Sequence, residues 1–220
     1  MTKAVIFDLD GTLIDSLEDI AESINLMLDA RGFPRCEVEA FRRMVGDGME
    51  RLVERALPEG QRSAEMIRAC TEEYRTIYDN HWAVKTRPYD GIEELLDDLR
   101  RHALKIGVIS NKPHRFTVPM CDHFFGEGRF DVVFGQRAEV PRKPAPDAGL
   151  EVASILGLAP AECAYVGDSG VDMEFARSAG MLPIGVRWGF RTEEELLAAG
   201  AKCLVDQPAD IFKRCTLKNE

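Results

Sequence analysis

Three short apolar runs in this sequence end abruptly in polar residues. The first is Ala4–Phe7, which the carboxylates Asp8 and Asp10 follow at once. Short apolar runs are typical of buried strands, and in an open α/β sheet ligands bind beyond the carboxyl ends of the strands. We therefore expect these polar residues to converge. The other two runs are Lys105–Ile109, followed by Ser110, Asn111 and Lys112, and Ala164–Gly167, followed by Asp168 and Asp172.

Helix and strand patterns alternate from Ile92 onward. A predicted helix over Ile92–Leu104 precedes the strand at Ile106, whereas no strand pattern occurs between Asp15 and Pro88. Such alternation predicts a parallel sheet covered by helices on both faces. The predicted fold class is thus α/β, a Rossmann-like parallel sheet core with an inserted all-helical cap domain. Further strands are expected near Val132, Tyr165, Ile184 and Leu204.

The domain boundaries follow from this change of pattern. Residues 1–15 and 88–220 are assigned to the α/β core, and residues 16–87 to the helical cap domain. Ser16, with Asp19 three residues later, resembles a helix N-terminus. The cap leaves the core beside the expected site, so it is well placed to cover that site.

The Asp8-x-Asp10 pair carries the strongest chemical signal. Burying an ionised carboxylate costs several kcal/mol or more unless a cation or hydrogen-bond donors compensate. A metal ion is one such partner, and a simple Asx-type turn is the alternative reading. The basic loop at Lys143 and the hydroxyl of Ser110 add groups suited to a dianion held beside a divalent cation.

Composition narrows the class of partner. The net charge of −10 disfavours nucleic-acid binding, and no apolar stretch approaches the roughly 20 residues that span a bilayer. The 6 cysteines show no Cys-x-x-Cys spacing, so reduced structural thiols are expected. We expect a cytoplasmic monomer or homodimer whose partner is a small anionic molecule, with no nucleic acid and no membrane.

Four motifs in order resemble the haloacid dehalogenase (HAD) superfamily of phosphotransferases. They are Asp8-x-Asp10-Gly-Thr12, Ser110-Asn111, Lys143-Pro144 and Gly167-Asp168-Ser-x-x-Asp172. The similarity spans essentially the whole chain, and the segment at Val45–Gly48 is similar to the cap of phosphoglycolate phosphatases.

The resemblance implies roles for these residues. Asp8 would attack phosphorus to give an aspartyl-phosphate, and Asp10 would protonate the leaving oxygen and later deprotonate water. Lys143 would neutralise charge on the phosphoryl group and on Asp8. Ser110 and the backbone amide of Asn111 would bind phosphate oxygens.

The implied cofactor is Mg²⁺. Its ligands would be Asp8, the backbone carbonyl of Asp10, and Asp168, with Thr12 in support. Asp172 would either lie in the outer metal shell or hold Lys143.

Substrate specificity is expected to reside in the cap, with candidates Arg43, Gly46, Asp47 and Gly48. For Lys112 we expect a solvent-exposed or substrate-edge position. The segment Trp188–Phe190 is expected to pack against the sheet edge rather than line the entrance.

The predicted function is a Mg²⁺-dependent phosphatase for a small phosphate monoester, with 2-phosphoglycolate as the leading substrate. The alternatives are a β-phosphoglucomutase-like phosphomutase, a pyrophosphatase, and a phosphate-binding protein without turnover. A mutase must return the phosphoryl group to a substrate rather than to water.

Overall fold

A computed structural model describes residues 2–216. Contacts divide the chain into two compact units, one formed by the chain up to Ile14 and from Pro88 onward, the other by Asp15–Arg87. Within the described residues, no helix combines the length and apolarity needed to cross a membrane.

The larger unit contains a six-stranded sheet in which every pairing is parallel. Its strand order is β5-β4-β1-β6-β7-β8, which confirms the predicted α/β class. The remaining strands, β2 and β3, pair with each other. The strands are β1 (Ala4–Phe7), β2 (Ile14–Asp15), β3 (Arg87–Pro88), β4 (Lys105–Pro113), β5 (Val132–Gln136), β6 (Cys163–Gly167), β7 (Leu182–Val186) and β8 (Cys203–Val205).

Strand β1 lies in the middle of this sheet, and all four of its residues are buried. A strand covered on both faces requires such a continuous apolar run. Phe7 pairs in register with Val108 of β4 and with Val166 of β6. The residues just beyond these three positions therefore come together at one edge of the sheet.

The helical unit is built from four α-helices and two 3-10 turns. Its buried side chains include Ile24, Leu28, Phe41, Tyr74 and Tyr78, so the unit has an apolar core of its own. The helices are α1 (Leu17–Ala30), α2 (Phe41–Met44), α3 (Met49–Ala56) and α4 (Ala64–Tyr78), and the 3-10 turns are Val38–Ala40 and Glu59–Gln61.

The start of α1 differs from the expected capping pattern. Ser16 makes no side-chain cap hydrogen bond, and the buried carboxylate of Asp19 instead accepts hydrogen bonds from the backbone N–H groups of Val84, Lys85 and Thr86 and from the Thr86 hydroxyl. The side chain is used for a contact distant in sequence because those amides belong to a bend outside any helix and need acceptors. Asp19 thus fastens the end of the helical unit to its beginning.

The helices of the larger unit alternate with its strands along the chain. The predicted helix at Ile92 ends three residues before its expected boundary, since Ala103 adopts a positive φ of 57° that ends helical geometry. The helices are α5 (Ile92–Arg101), α6 (His114–Phe125), α7 (Asp147–Ile155), α8 (Gly170–Ser178), α9 (Glu193–Ala198) and α10 (Pro208–Thr216), with a 3-10 turn at Pro160–Glu162.

Candidate active site

Three carboxylates meet at the carboxyl edge of the sheet. Asp8 follows β1, Asp168 follows β6, and Asp172 lies in the first turn of α8. One oxygen from each lies within 4.8 Å of the others. Their exposed fractions are only 9%, 3% and 1%, so solvent screens their charges poorly.

Lys143 supplies the positive charge in this cluster. Its Nζ lies 2.8 Å from Oδ1 of Asp8, 2.7 Å from Oδ1 of Asp172 and 2.8 Å from the hydroxyl of Tyr165. Burial by itself lowers the pKa of Lys143, but the carboxylates of Asp172 and Asp8 outweigh it and hold that pKa well above its usual value. Lys143 is therefore a stable ammonium group.

One ammonium does not balance three buried carboxylates. Burial, with the nearby charge of Asp172, raises the pKa of Asp168 to about 8. Burial also raises the pKa of Asp8 to about 6, although Lys143 opposes the shift. Such a cluster of oxygen donors with excess negative charge fits a hard divalent cation.

Asp168 is held rigidly from two directions. Its Oδ1 accepts from Thr12 Oγ1 at 3.3 Å, and its Oδ2 accepts from the backbone N–H of Phe190 at 2.7 Å. Gly11 has a φ of 84°, and a Cβ there would lie 2.5 Å from Oδ2 of Asp168. Glycine is therefore required for the loop after β1 to approach this carboxylate.

Asp172 joins the helix start to the site. Its Oδ2 accepts from the Ser169 N–H at 3.0 Å and from the Ser169 hydroxyl at 2.6 Å, while Oδ1 binds Lys143. Of the two roles left open for Asp172, the structure displays the contact with Lys143. Because one oxygen of Asp172 caps the helix and the other binds Lys143, the orientation of the Asp172 carboxylate is fixed.

Ser110 and Asn111 lie within β4 and are buried, because the strand runs past its predicted end at Ile109. The Asn111 side chain accepts from the Lys143 backbone N–H at 2.9 Å and donates to the Lys143 carbonyl at 3.2 Å. Ser110 Oγ accepts from the N–H of Lys112 at 3.2 Å. The Asn111 amide thus fixes the backbone of Lys143, a contact that the sequence pattern did not predict.

The expectation of a solvent-exposed Lys112 is wrong. Its side chain is buried, and Nζ lies 3.0 Å from each carboxylate oxygen of Asp10. The strand continues through Lys112 with an irregular register between Ile109 and Pro113, which redirects this side chain inward. Lys112 therefore fixes the orientation of the Asp10 carboxylate.

The candidate specificity residues lie in the helical unit, with Arg43 in α2 and the other three between α2 and α3. Arg43 is exposed, and Gly46 and Gly48 have φ values of 121° and 88°. Asp47 pairs with Arg55 at 2.5 Å. Positive φ at both glycines gives a turn in which a larger side chain would be strained.

The sequence pattern does not indicate the site roles of two groups, the Tyr165 hydroxyl and the Phe190 amide. It predicts Tyr165 only as a strand residue, and Phe190 belongs to a segment expected only to pack. Trp188 of that segment donates from Nε1 to the Thr12 carbonyl at 3.1 Å, so the segment holds the loop after β1. The signal for Tyr165 was a hydroxyl inside an otherwise apolar strand, whereas a backbone amide leaves no sequence signal.

The chain is similar to known proteins over nearly its whole length. The sequence profile of the family described as haloacid dehalogenase-like hydrolase matches residues 5–186. A phosphoglycolate phosphatase from Chromobacterium violaceum is 36% identical over 214 residues, covering 96% of this chain and 95% of that protein. An N-acetylmuramic acid 6-phosphate phosphatase from Pseudomonas aeruginosa is 34% identical over 211 residues, covering 96% and 93% respectively.

The fold of this chain also matches a solved crystal structure over nearly its whole length. It is of a Lactobacillus delbrueckii subsp. bulgaricus protein assigned as a phosphoglycolate phosphatase. The TM-score is 0.91 at 30% sequence identity, covering 98% of this chain and 99% of that one.

Proposed function

The chain belongs to the haloacid dehalogenase-like hydrolase family, and from that premise we propose that it hydrolyses a small phosphate monoester through an aspartyl-phosphate on Asp8, with Mg²⁺ as cofactor. The observation that carries the proposal is the buried cluster of Asp8, Asp168 and Asp172 around the Lys143 ammonium. Phosphoryl transfer depends mainly on positioning and on charge stabilisation, and this cluster supplies both.

In the first step, a carboxylate oxygen of Asp8 attacks phosphorus while the bond from phosphorus to the ester oxygen breaks. Asp10 gives its proton to that oxygen, so the alcohol leaves neutral. In the second step, water attacks the aspartyl-phosphate and loses a proton to Asp10. Inorganic phosphate leaves, and both carboxyl groups return to their starting states.

The residues around Asp8 support this chemistry. Lys143 neutralises charge beside the attacking carboxylate, and Ser110 with the Asn111 backbone amide binds phosphoryl oxygens. Mg²⁺ would be held by Asp8, Asp168 and the Asp10 carbonyl, and when bound it supplies positive charge to the phosphoryl oxygens. Asp172 is committed to Lys143 and Ser169, so we assign it to orientation of Lys143.

The relatives suggest two substrates. One relative named above is a phosphoglycolate phosphatase and another acts on N-acetylmuramic acid 6-phosphate, at 36% and 34% identity. Both compounds carry a carboxylate in addition to the phosphate ester. We propose 2-phosphoglycolate first and N-acetylmuramic acid 6-phosphate second, with Arg43, Gly46, Asp47 and Gly48 as the segment that distinguishes substrates.

The test is phosphate release, with and without Mg²⁺, from two matched pairs of esters. The pairs are 2-phosphoglycolate with ethyl phosphate, and N-acetylmuramic acid 6-phosphate with N-acetylglucosamine 6-phosphate. The first pair differs in the carboxylate, and the second differs in the lactyl ether that carries one. A higher kcat/KM for the acid of one pair identifies the substrate. Equal rates within both pairs would contradict recognition of a carboxylate.

The same assay separates the alternatives. Pyrophosphate and β-glucose 1-phosphate join the panel, and Asp8→Asn is the control for the nucleophile. Preference for pyrophosphate would indicate a pyrophosphatase, and formation of glucose 6-phosphate would indicate a mutase. Saturable binding of these esters without release of phosphate from any of them would indicate a binding protein.

A further inference from the structure

The Lys143 ammonium has a full set of three acceptors. An ammonium offers three N–H donors and accepts none, and here Asp8, Asp172 and Tyr165 lie 2.7 to 2.8 Å from Nζ. Two of these acceptors are carboxylates expected in this site. The third is a neutral hydroxyl, and the proposed mechanism assigns it no role.

The direction of the hydrogen bonds at Tyr165 is fixed by chemistry. Since Lys143 can only donate, the Tyr165 oxygen must accept from it. The single hydroxyl hydrogen is then donated to the Ile109 carbonyl at 2.7 Å, which lies nearer than Oδ1 of Asp172 at 3.5 Å. Burial raises the pKa of the Tyr165 hydroxyl well above its usual value, so that hydrogen is retained at neutral pH.

Tyr165 is also fixed mechanically. The residue is completely buried in β6, and its ring packs edge-on against Phe175 with centroids 4.7 Å apart. Ile109, its acceptor, immediately precedes Ser110 in β4. Tyr165 therefore links the strand that precedes Asp168 to the strand that carries the proposed phosphate-binding residues, with Lys143 hydrogen-bonded to its hydroxyl.

We propose that Tyr165 is a positioning residue that keeps the Lys143 ammonium in place while the bonding at Asp8 changes. When an Asp8 oxygen bonds to phosphorus, that carboxylate loses negative charge and becomes a weaker acceptor. Asp172 and Tyr165 take no part in the bond exchange, so they retain Lys143 through both steps. The Tyr165 ring is held in one orientation by its packing. Without its hydroxyl, Asp172 alone would hold the ammonium while Asp8 is bonded to phosphorus. The kinetic part of this inference rests on the proposed function.

The kinetic test is Tyr165→Phe, which removes the hydroxyl and keeps the ring. We expect kcat to fall about tenfold, the scale of a lost hydrogen bond to a charged group, with KM changed less than twofold. Tyr78→Phe is the matched control, because it removes the hydroxyl of an equally buried tyrosine in the helical unit, and its kcat should equal that of the wild type. An unchanged kcat in Tyr165→Phe would overturn the proposal.

A double-mutant cycle shows whether Tyr165 acts through Lys143. In single-turnover assays, Tyr165→Phe should have no further effect on the residual rate of Lys143→Gln, because the group it positions is gone. The same tenfold loss in both backgrounds would overturn the proposed route through Lys143.

A spectroscopic test separates this inference from the proposed function. In proton–nitrogen spectra of lysine ammonium groups, the Lys143 resonance is assigned by its loss in Lys143→Arg. Tyr165→Phe should shift that resonance and speed its exchange with solvent, whereas Tyr78→Phe should not. This outcome requires no phosphatase activity, and an unaltered Lys143 resonance would contradict the proposal even if the wild type hydrolyses esters.

Melting curves establish that Tyr165→Phe is folded. If it is not, 3-fluorotyrosine placed at position 165 preserves the hydroxyl but weakens it as an acceptor. We then expect a smaller loss of kcat and a smaller shift of the Lys143 resonance. Wild-type values for both would overturn the proposal.

Discussion

The two units hold their candidate functional residues in opposite ways. In the α/β unit, Asp8, Lys143, Asp168 and Asp172 are buried and joined to one another or to fixed neighbours. In the helical unit, Arg43 is exposed beside a turn with glycines at positive φ. A charged group that acts on phosphorus must be held in a fixed position, whereas a group that binds another part of the substrate can change its position. Changes in the first region should therefore affect kcat and stability, and changes in the second should affect KM.

The largest effect is expected at the nucleophile. Asp8→Asn keeps the shape of the side chain but removes the attacking oxygen's charge, so kcat should fall by on the order of 10⁴-fold or more. Phosphate release under single-turnover conditions measures this. A residual rate within tenfold of the wild type would show that another group attacks phosphorus.

The next effect is on stability. Lys143→Met leaves the buried carboxylates of Asp8 and Asp172 without their ammonium partner, and removing one partner of a buried ion pair costs about 3–5 kcal/mol. Chemical denaturation of the metal-free protein at pH 8 measures the loss. Lys105→Met, at an exposed ion pair with Asp131, is the control and should cost at most about 1 kcal/mol. If both variants lost the same free energy of unfolding, the buried ion pairs of Lys143 would contribute no more to stability than the exposed pair of Lys105.

The third effect is a dependence of metal stabilisation on pH. Since the pKa values of Asp168 and Asp8 are raised to about 8 and about 6, the metal-free folded state binds more protons than the unfolded chain between about pH 4 and pH 8. Their contribution to stability is present at low pH and is lost as pH rises through the folded pKa values. Mg²⁺ requires the deprotonated carboxylates, so the rise in melting temperature caused by Mg²⁺ should increase from pH 5 to pH 8.

Melting curves with Mg²⁺ and with a chelator, at several pH values, measure this difference. Asp168→Asn removes the more strongly shifted group and should flatten the pH dependence. A Mg²⁺ effect in the wild type that is the same at pH 5 and pH 8 would mean that these carboxylates do not take up the ion.

The smallest effect is expected in the helical unit. Arg43→Ala should raise KM for the preferred carboxylate-bearing ester about fivefold, the scale of one exposed charge interaction, and leave kcat within twofold. Its matched ester without a carboxylate should show no change in KM. Arg42→Ala, the neighbouring arginine paired with Glu39, serves as the control. A large fall in kcat on Arg43→Ala would move this residue into the catalytic group.

The α/β core could be predicted from sequence because burial on both faces makes the central strands short apolar runs. The polar residues after β1 and β6 could likewise be placed, since parallel strands bring their carboxyl ends to one edge. Ser110 and Asn111 were expected just after β4 but lie within it. The contacts of Lys112 and Asn111 could not be predicted, because they depend on an irregular register in β4 and on a backbone partner distant in sequence. The roles assigned to Asp8, Asp10 and the cap segment stay predictions until the variants are measured.

The Asp19 clamp has a consequence for how such a chain can change over evolutionary time. Asp19 holds the segment 84–86 against the first turn of α1, so the helical unit's own beginning and end lie side by side. In the α/β unit, the Tyr89 N–H likewise donates to the Leu13 carbonyl at 3.1 Å, which keeps the two edges of the interruption together. A segment attached in this way can be lengthened, shortened or replaced without changing the sheet. The same α/β core can therefore evolve to serve different substrates through changes in the inserted segment.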